Sequence, residues 1–595
     1  MAIRFQSTYI NTYKNVFRLL PKTFKKKFFG VQALIIVTSF VDLFGLALFI
    51  PILSAVADES VLTGDGKLAQ LKTWSGVENS NDFLLYLFIV AFCFFILRSL
   101  FILFSQWIQN KFVYRVYRYI GSSTYEHYLN MPYEDFMKHD SPQVVRELTV
   151  SPQHFSTFLI KSLLLINSEL IVLLLVVGGI AIYDFKVFLL ILCTIFPVAF
   201  LFNLLVKKRM KAYGETQNKL TPELYRNSNR GIFGFIDVKL RQKESTLLSD
   251  YTKTLVQLNN ISLRTSVLGV VPAKLFELVT VGGLLVIFWY GAFIASNPEI
   301  VLPLIALYAA AGYRVIPSLS KIIPSFLHLQ QYAYLFDIYK KPLTEKVEKF
   351  ASKSSEASLN FNEKIDLNNI TFSFNDTSNP FFKDLNLSIN KGEIVGIIGR
   401  SGSGKTTLVK MLAGFIQYQK GEIKIDDVTL SPTNFPNWRR KISYVQQSPY
   451  VENTSLAKNI AFLEDDIDAE RLNNAIEKAS LTELVGNTSP FDFQIKENGK
   501  NLSGGQKQRI LIARALYHDA DLIILDEATS ALDNETENEI NTTVSKLKNS
   551  GTTVIIIAHR YTTLQHTNRI VQMEHGKIIK MTDYNAVNAS QNITQ

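Results

Sequence analysis

Gly399-Arg400-Ser401-Gly402-Ser403-Gly404-Lys405-Thr406 decides how the C-terminal part of this chain folds. It meets the pattern G-x-x-x-x-G-K-[ST] at every fixed position. Ahead of it, Glu393-Ile394-Val395-Gly396-Ile397-Ile398 has the composition of a buried strand, and Leu408 to Ala413 behind it opens a helix. A strand–loop–helix of this kind turns successive backbone N–H groups toward one point, and the helix N-terminus adds partial positive charge. Lys405 supplies a mobile cation for the β- and γ-phosphates and Thr406 a hydroxyl for Mg²⁺, with Thr407 beside it in the first helical turn. A glycine-rich turn without a ligand needs neither the lysine nor the hydroxyl. The stretch therefore predicts a nucleoside triphosphate site.

Outward from that loop, a chain of 595 residues is too long for one core and calls for at least two domains. Its hydrophobic content of 47% is concentrated between about 28 and 330. Apolar runs at 29–54 and 83–107 each have the roughly twenty residues a membrane crossing needs. A run from 157 to 206, broken at Asp184-Phe185-Lys186, fits two helices joined by a tight turn. Two more lie at 267–295 and 300–326. Six spans put both chain ends on one side of the membrane. The loop 55–81 is acidic and the link 296–299 has no Lys or Arg, whereas 108–156 and 207–264 carry most of the basic residues near the spans. By the positive-inside rule those segments, both termini and the nucleotide domain belong in the cytoplasm. The two segments read largely as helix, for example Glu223 to Asn260, so the spans are expected to continue past the bilayer.

The net charge of +10 is accounted for by Lys22, Lys25 to Lys27, Lys207, Lys208, Arg209 and Lys211, which flank spans. Nothing else points to nucleic acid. Cys93 and Cys193 fall inside spans without metal-ligand spacing and read as packing residues. The first 27 residues are polar and basic, unlike a cleavable signal peptide. Residues 343–362 are rich in Lys, Glu and Ser and form a linker between a membrane domain, 1–342, and a soluble α/β P-loop ATPase domain, 363–595, which opens with short strands at 365–374 and 385–390.

Leu522-Ile523-Ile524-Leu525-Asp526-Glu527 is an apolar strand ending in two carboxylates. Asp526 stands where a Walker B aspartate holds Mg²⁺, and Glu527 is placed to polarise the attacking water. Between the two motifs lies Leu502-Ser503-Gly504-Gly505-Gln506, a serine and two glycines opening the helix Ile510–Leu516. This is either a plain N-capped helix or a second anion site. Two phosphate-gripping helix ends on one chain suggest nucleotide clamped between two copies.

With these motifs in order, residues 365–580 resemble the nucleotide-binding domain of an ATP-binding-cassette (ABC) transporter, with Leu502–Gln506 as the family signature. The resemblance implies ATP and Mg²⁺ as ligands. It implies a Q-loop role for Gln447, touching Mg²⁺ and water; a D-loop at Ser530-Ala531-Leu532-Asp533; a switch role for His559 at the γ-phosphate; and adenine stacking by Phe374, where many relatives carry tyrosine. Glu497 and Gly499 resemble the exporter X-loop, with Lys496 replacing the usual glycine. The six spans resemble the exporter (type IV) membrane domain, so the implied assembly is a homodimer with two composite ATP sites. Several membrane stretches, including Asp42 to Pro51, Pro132-Tyr133 with Phe136, and Gly312 to Leu319, are similar to flippases of lipid-linked oligosaccharides. That implies an amphiphilic glycan-lipid cargo; multidrug, lipid or peptide export and ATP-gated channel activity are the alternatives. Intact Glu527 and His559 favour turnover over gating.

Ionisable residues inside spans default to function. Arg98, Lys274 and Arg314 are the candidates for holding an anionic head group such as a pyrophosphate. Lys274 and Glu277, one helical turn apart, can instead neutralise each other, and Asp42 can pair with any of the three.

Overall fold

The computed structural model describes all residues except 1, 48–51, 53–61, 63–66, 78, 184, 291–292, 294–297, 346–358, 375–379, 448, 528–533, 550, 559 and 585–595. Its contacts divide the chain into two units. One comprises Met1–Met131 with Lys138–Val347, the other Pro132–Met137 with Glu348–Gln595.

The first unit is helical. Its main elements are α1 (Ala2–Leu19), α2 (Lys22–Ala47), α3 (Ser80–Leu129), α4 (Ser141–His154), α5 (Lys161–Tyr183), α6 (Phe185–Phe233), α7 (Glu244–Tyr290), α8 (Pro298–Gln331) and α9 (Leu335–Thr344). Among the described residues, four helices are long and apolar enough to cross a membrane, at Ser80–Leu129, Ser141–Ile182, Phe188–Phe233 and Glu244–Trp289. The expected first and sixth spans coincide with α2 and α8; residues 48–51 and 53–54 of the first lie outside the described ones. The α3 helix has 50 residues, about 75 Å at 1.5 Å per residue, against a hydrocarbon core of about 30 Å. Phe88, Ile89, Phe92 and Leu97 on α3 are exposed, a pattern stable in lipid and costly in water. Cys93 and Cys193 are exposed too, so they lie on outward helix faces and not in the protein core as expected.

Two large packed clusters, with a small one around Leu62 and Phe83, join the described helices. One joins Val16, Phe28, Val116, Phe155, Leu329 and Tyr339, the other Phe202, Met210, Phe276, Tyr308 and Val315. The stretch Glu223 to Asn260 is largely helical as expected, with two interruptions: α6 stops at Phe233, a short helix covers Phe235–Leu240, and α7 starts at Glu244. Gly234, with φ −93° and ψ 19°, leaves the helical path, and Gln242 adopts a left-handed φ of 50°. Local backbone at these two residues thus overrides an otherwise helix-compatible composition.

The second unit carries β1 (Lys364–Phe372), β2 (Phe382–Asn390), β3 (Ile394–Ile398), β4 (Lys420–Ile425), β5 (Val428–Thr429), β6 (Ile442–Val445), β7 (Leu522–Asp526), β8 (Thr553–Ile557), β9 (Arg569–Glu574) and β10 (Lys577–Thr582). A six-stranded sheet runs β10-β9-β3-β8-β7-β6, parallel except for β10; a four-stranded antiparallel sheet runs β2-β1-β4-β5. All five residues of β3 and of β8 are buried. Alternate residues serve two cores: Leu522 and Ile524 of β7 enter one, Ile523 and Leu525 the other. A sheet covered on both faces requires such uninterrupted apolar strands. In an open α/β sheet of this type, ligands bind at the carboxyl ends of the strands.

Candidate functional site

The Gly399–Thr406 loop leaves the carboxyl end of β3 and enters α10 (Lys405–Leu412). Gly404 is the N-cap with φ 103°, and a Cβ there would come within 2.7 Å of the Phe381 and Phe382 rings. Gly399 is closed off in the same way, with the Met573 carbonyl oxygen 2.3 Å from a built Cβ. Glycine is thus required on both sides of the loop. Arg400, Ser401 and Gly402 are exposed along its rim, and Ser403 Oγ is buried without a hydrogen-bond partner. Lys405 is 5% exposed. Its Nζ donates to the carbonyl oxygens of Gly399 at 2.8 Å and Arg400 at 3.3 Å, folding the ammonium back over the loop. Burial lowers its pKa, while Glu527 and Asp526 oppose that shift. A buried cation, an orphaned hydroxyl and a helix N-terminus gathered in one loop fit the phosphates of a nucleotide.

Strand β7 brings its terminal carboxylates to the same place. Thr406 Oγ1 donates to Asp526 Oδ1 at 3.4 Å, and the Tyr444 hydroxyl donates to Asp526 Oδ2 at 2.5 Å. Tyr444, three residues before Gln447, has no local signature that marks it in the sequence. What brings it to Asp526 is its place on β6, which pairs with β7. Burial, and then Asp526, raise the pKa of its hydroxyl well above the ordinary value, so it remains a donor. Gln447 Nε2 donates to Glu527 Oε2 at 3.1 Å. Glu527 has a left-handed φ of 52°, uncommon for a non-glycine residue, and its N–H is tied to the Ile557 carbonyl at 3.0 Å. Thr406, Asp526, Gln447 and Glu527 therefore form one oxygen-rich cluster next to Lys405, with a donor set suited to Mg²⁺.

Phe374 packs edge-on against Phe372 and Phe381 and leaves 49% of its surface open, enough for a base to stack. Ser503 caps α11 (Gly504–Tyr517) in a capping box: its Oγ accepts from Gln506 N at 3.2 Å and its N–H donates to Gln506 Oε1 at 2.9 Å. Leu502 and Gly505 are buried under the turn, while Ser503 and Gly504 face outward. The helix end thus presents its N-terminus to the exterior of the unit. His559 and Asp533 lie outside the described residues. The residues just after His559 are anchored by Glu537, which the sequence did not single out. This buried carboxylate accepts from Arg560 at 3.0 Å, Thr562 at 2.5 Å and Thr563 at 2.8 Å. Burial pushes its pKa up, but the donors from Thr562, Thr563 and Arg560 outweigh that and hold it below the ordinary carboxylate value.

In the helical unit, Arg98 on α3 and Arg314 on α8 converge on Asp42 of α2, one guanidinium on each carboxylate oxygen. Lys274 does not join them. It pairs with Glu277 at 2.7 Å on an exposed face of α7. Glu169, buried on α5, is satisfied by Ser318 Oγ at 2.8 Å and Lys321 Nζ at 2.6 Å.

Residues 31–309 match the family described as ABC transporter transmembrane region, and residues 382–530 match the ABC transporter family. An ATP-dependent lipid A-core flippase from Ralstonia nicotianae is 41% identical over 215 residues, 36% of this chain and 36% of that protein. The leukotoxin translocation ATP-binding protein LktB from a Pasteurella haemolytica-like strain is 31% identical over 361 residues, 60% of this chain and 50% of that protein. The chain thus spans a third to a half of the length of these relatives. A bacterial Atm1-family ABC exporter, solved with ATP bound, superposes with a TM-score of 0.76 at 18% identity, covering 96% of this chain and 97% of its own; at that identity the likeness shows the fold. With a transmembrane region and an ATP-binding cassette matched in succession along an exporter fold, the chain is an integral membrane protein that belongs to the ABC transporter family.

Proposed function

We propose that this chain is an ATP-hydrolysing flippase for an amphiphile with a phosphorylated head group, most simply a lipid-linked oligosaccharide. The observation that carries the cargo reading is the pair of intramembrane arginines, Arg98 and Arg314, sharing the single carboxylate of Asp42. A charged side chain at a helix centre costs about 2.5–3.5 kcal/mol on insertion scales. Two cations on one anion leave a net positive charge that a neutral drug cannot use and a phosphate can. Lys274, already matched by Glu277, contributes less to that charge.

On this reading the P-loop N–H groups and Lys405 grip the β- and γ-phosphates, and Phe374 stacks on the adenine. Thr406, Asp526 and Gln447 would hold Mg²⁺, whose chemistry is to neutralise charge on the phosphate oxygens. Glu527 polarises water, positioned by Gln447, and His559 completes the site at the γ-phosphate. Ser503 to Gln506 of a second copy close over the nucleotide in a homodimer, with Asp533 between the sites. Residues 1–342 serve as membrane domain, 343–362 as linker and 363–595 as cassette. The basic flanks of the spans place the cassette and both termini in the cytoplasm, at the inner membrane that bacterial relatives suggest.

Reconstituted vesicles test this. A polyprenyl-pyrophosphate oligosaccharide should stimulate ATP hydrolysis and change leaflets, and Arg314→Ala should impair transfer far more than basal hydrolysis. Stimulation by hydrophobic drugs or peptides, with no glycan-lipid transfer in an active preparation, would favour the multidrug or peptide reading.

A further inference from the structure

Among the ion pairs of the described residues in the helical unit, Asp42 serves two cations. Asp42 spends both carboxylate oxygens on two guanidinium groups, one from Arg98 and one from Arg314. Each arginine still keeps its Nε buried and unpartnered. The three side chains remain 19%, 17% and 22% exposed for Arg98, Asp42 and Arg314, so the cluster is reachable and not sealed. Gly45, one helical turn beyond Asp42, makes the slot in which Arg98 lies: a Cβ there would come within 2.8 Å of Arg98 Cδ and 3.1 Å of Nε.

A carboxylate has two oxygens and has used both. A phosphate or pyrophosphate has more oxygens and more charge, and can take the terminal nitrogens of both guanidinium groups. One arginine would neutralise Asp42; the second leaves the cluster with one positive charge in excess. That excess charge matches an anion of greater charge than Asp42, such as a phosphate or pyrophosphate.

We propose that Asp42 is a displaceable resident anion: the cargo phosphate takes Arg98 and Arg314 from it on loading, and Asp42 takes them back as the cargo leaves. This rests on the reading of the cargo as a phosphorylated amphiphile. The empty site then never strands two arginines in the bilayer. Because Asp42 is tethered, it competes at high effective concentration and speeds release. The tie between α2 and the helices α3 and α8 passes to the cargo during each cycle, so occupancy is felt by three spans at once.

The test uses the full chain in dodecyl maltoside, with farnesyl pyrophosphate as the anionic probe and farnesol as the neutral one. Asp42→Asn should bind farnesyl pyrophosphate at least tenfold more tightly than the unmodified chain, with farnesol unchanged. Arg98→Gln and Arg314→Gln should each weaken it about tenfold. In the unmodified chain, farnesyl pyrophosphate should raise labelling of Asp42 by a hydrophobic carbodiimide at least threefold, read by peptide mass spectrometry, while Glu169 stays constant. That labelling decides the question even where Asp42→Asn does not fold. Arginine-dependent binding with labelling unchanged or reduced overturns the exchange and leaves the phosphorylated-cargo reading standing. Absence of any arginine-dependent binding overturns both.

Discussion

Removing one oxygen atom from Tyr444 tests whether Asp526 is held ready for a metal ion. In Tyr444→Phe the ring stays in place and only the 2.5 Å hydrogen bond to Asp526 Oδ2 is lost. That distance is in the range of charge-assisted O–H···O⁻ bonds, which contribute about 1.5–3 kcal/mol net. Asp526 then keeps Thr406 on Oδ1 at 3.4 Å, too long to fix the carboxylate plane, so it is free to turn. At about 1.4 kcal/mol per decade the loss corresponds to roughly 10- to 150-fold, the same order as removal of other groups that orient metal ligands. The measurement is ATP hydrolysis titrated with Mg²⁺ at saturating ATP. The half-saturating Mg²⁺ concentration should rise by about ten-fold or more, with the melting temperature little changed. Because the hydroxyl's pKa is raised, the effect should be flat across neutral and mildly alkaline pH. An unchanged Mg²⁺ titration would refute the positioning role.

Three further predictions concern the same unit. Lys405→Ala should abolish ATP turnover and transport while membrane insertion, read by fractionation, is unaffected; normal turnover would remove the phosphate assignment. Glu527→Gln should bind ATP but hydrolyse it very slowly and accumulate a closed dimer, and chains bearing Lys405→Ala mixed with chains bearing Ser503→Arg should trap nucleotide at one site per cross-linked pair. Catalysis by a demonstrably monomeric chain would contradict the two-copy clamp. Glu537→Gln should destabilise the cassette by about 1–3 kcal/mol by weakening the anchor for Arg560, Thr562 and Thr563. Since the folded-state pKa of Glu537 is depressed, its contribution is complete above the ordinary carboxylate value and is lost as pH falls through the lower folded value. The difference in melting temperature between the two proteins should therefore narrow as pH falls below the ordinary carboxylate value; a difference that stays constant in acid would show that charge is not what anchors the loop.

What sequence alone determined about this protein was whatever rests on local chemistry. Glycine at 399 and 404 is demanded by backbone geometry, and with lysine at 405 and threonine at 406 it falls within eight consecutive residues, so a linear pattern records the loop. Long apolar runs likewise record burial in lipid, since a helix must satisfy its own backbone there. Partnerships between distant residues were left to the tertiary structure. Lys274 and Arg314 look alike in sequence, yet one is matched by Glu277 three residues away and the other by Asp42, 272 residues away. The roles of Tyr444 and Glu537 depend on strand order and on a loop folding back, and neither has a local signature. Pro132–Met137 lies between two helices of the membrane unit in sequence but packs in the cassette unit, where Lys410 Nζ donates to the Tyr133 hydroxyl at 2.9 Å and lies over its ring. Hydrophobic patterning specifies which face of a segment is buried. Which partner buries it, and which charge answers which, is settled only when the whole chain has packed.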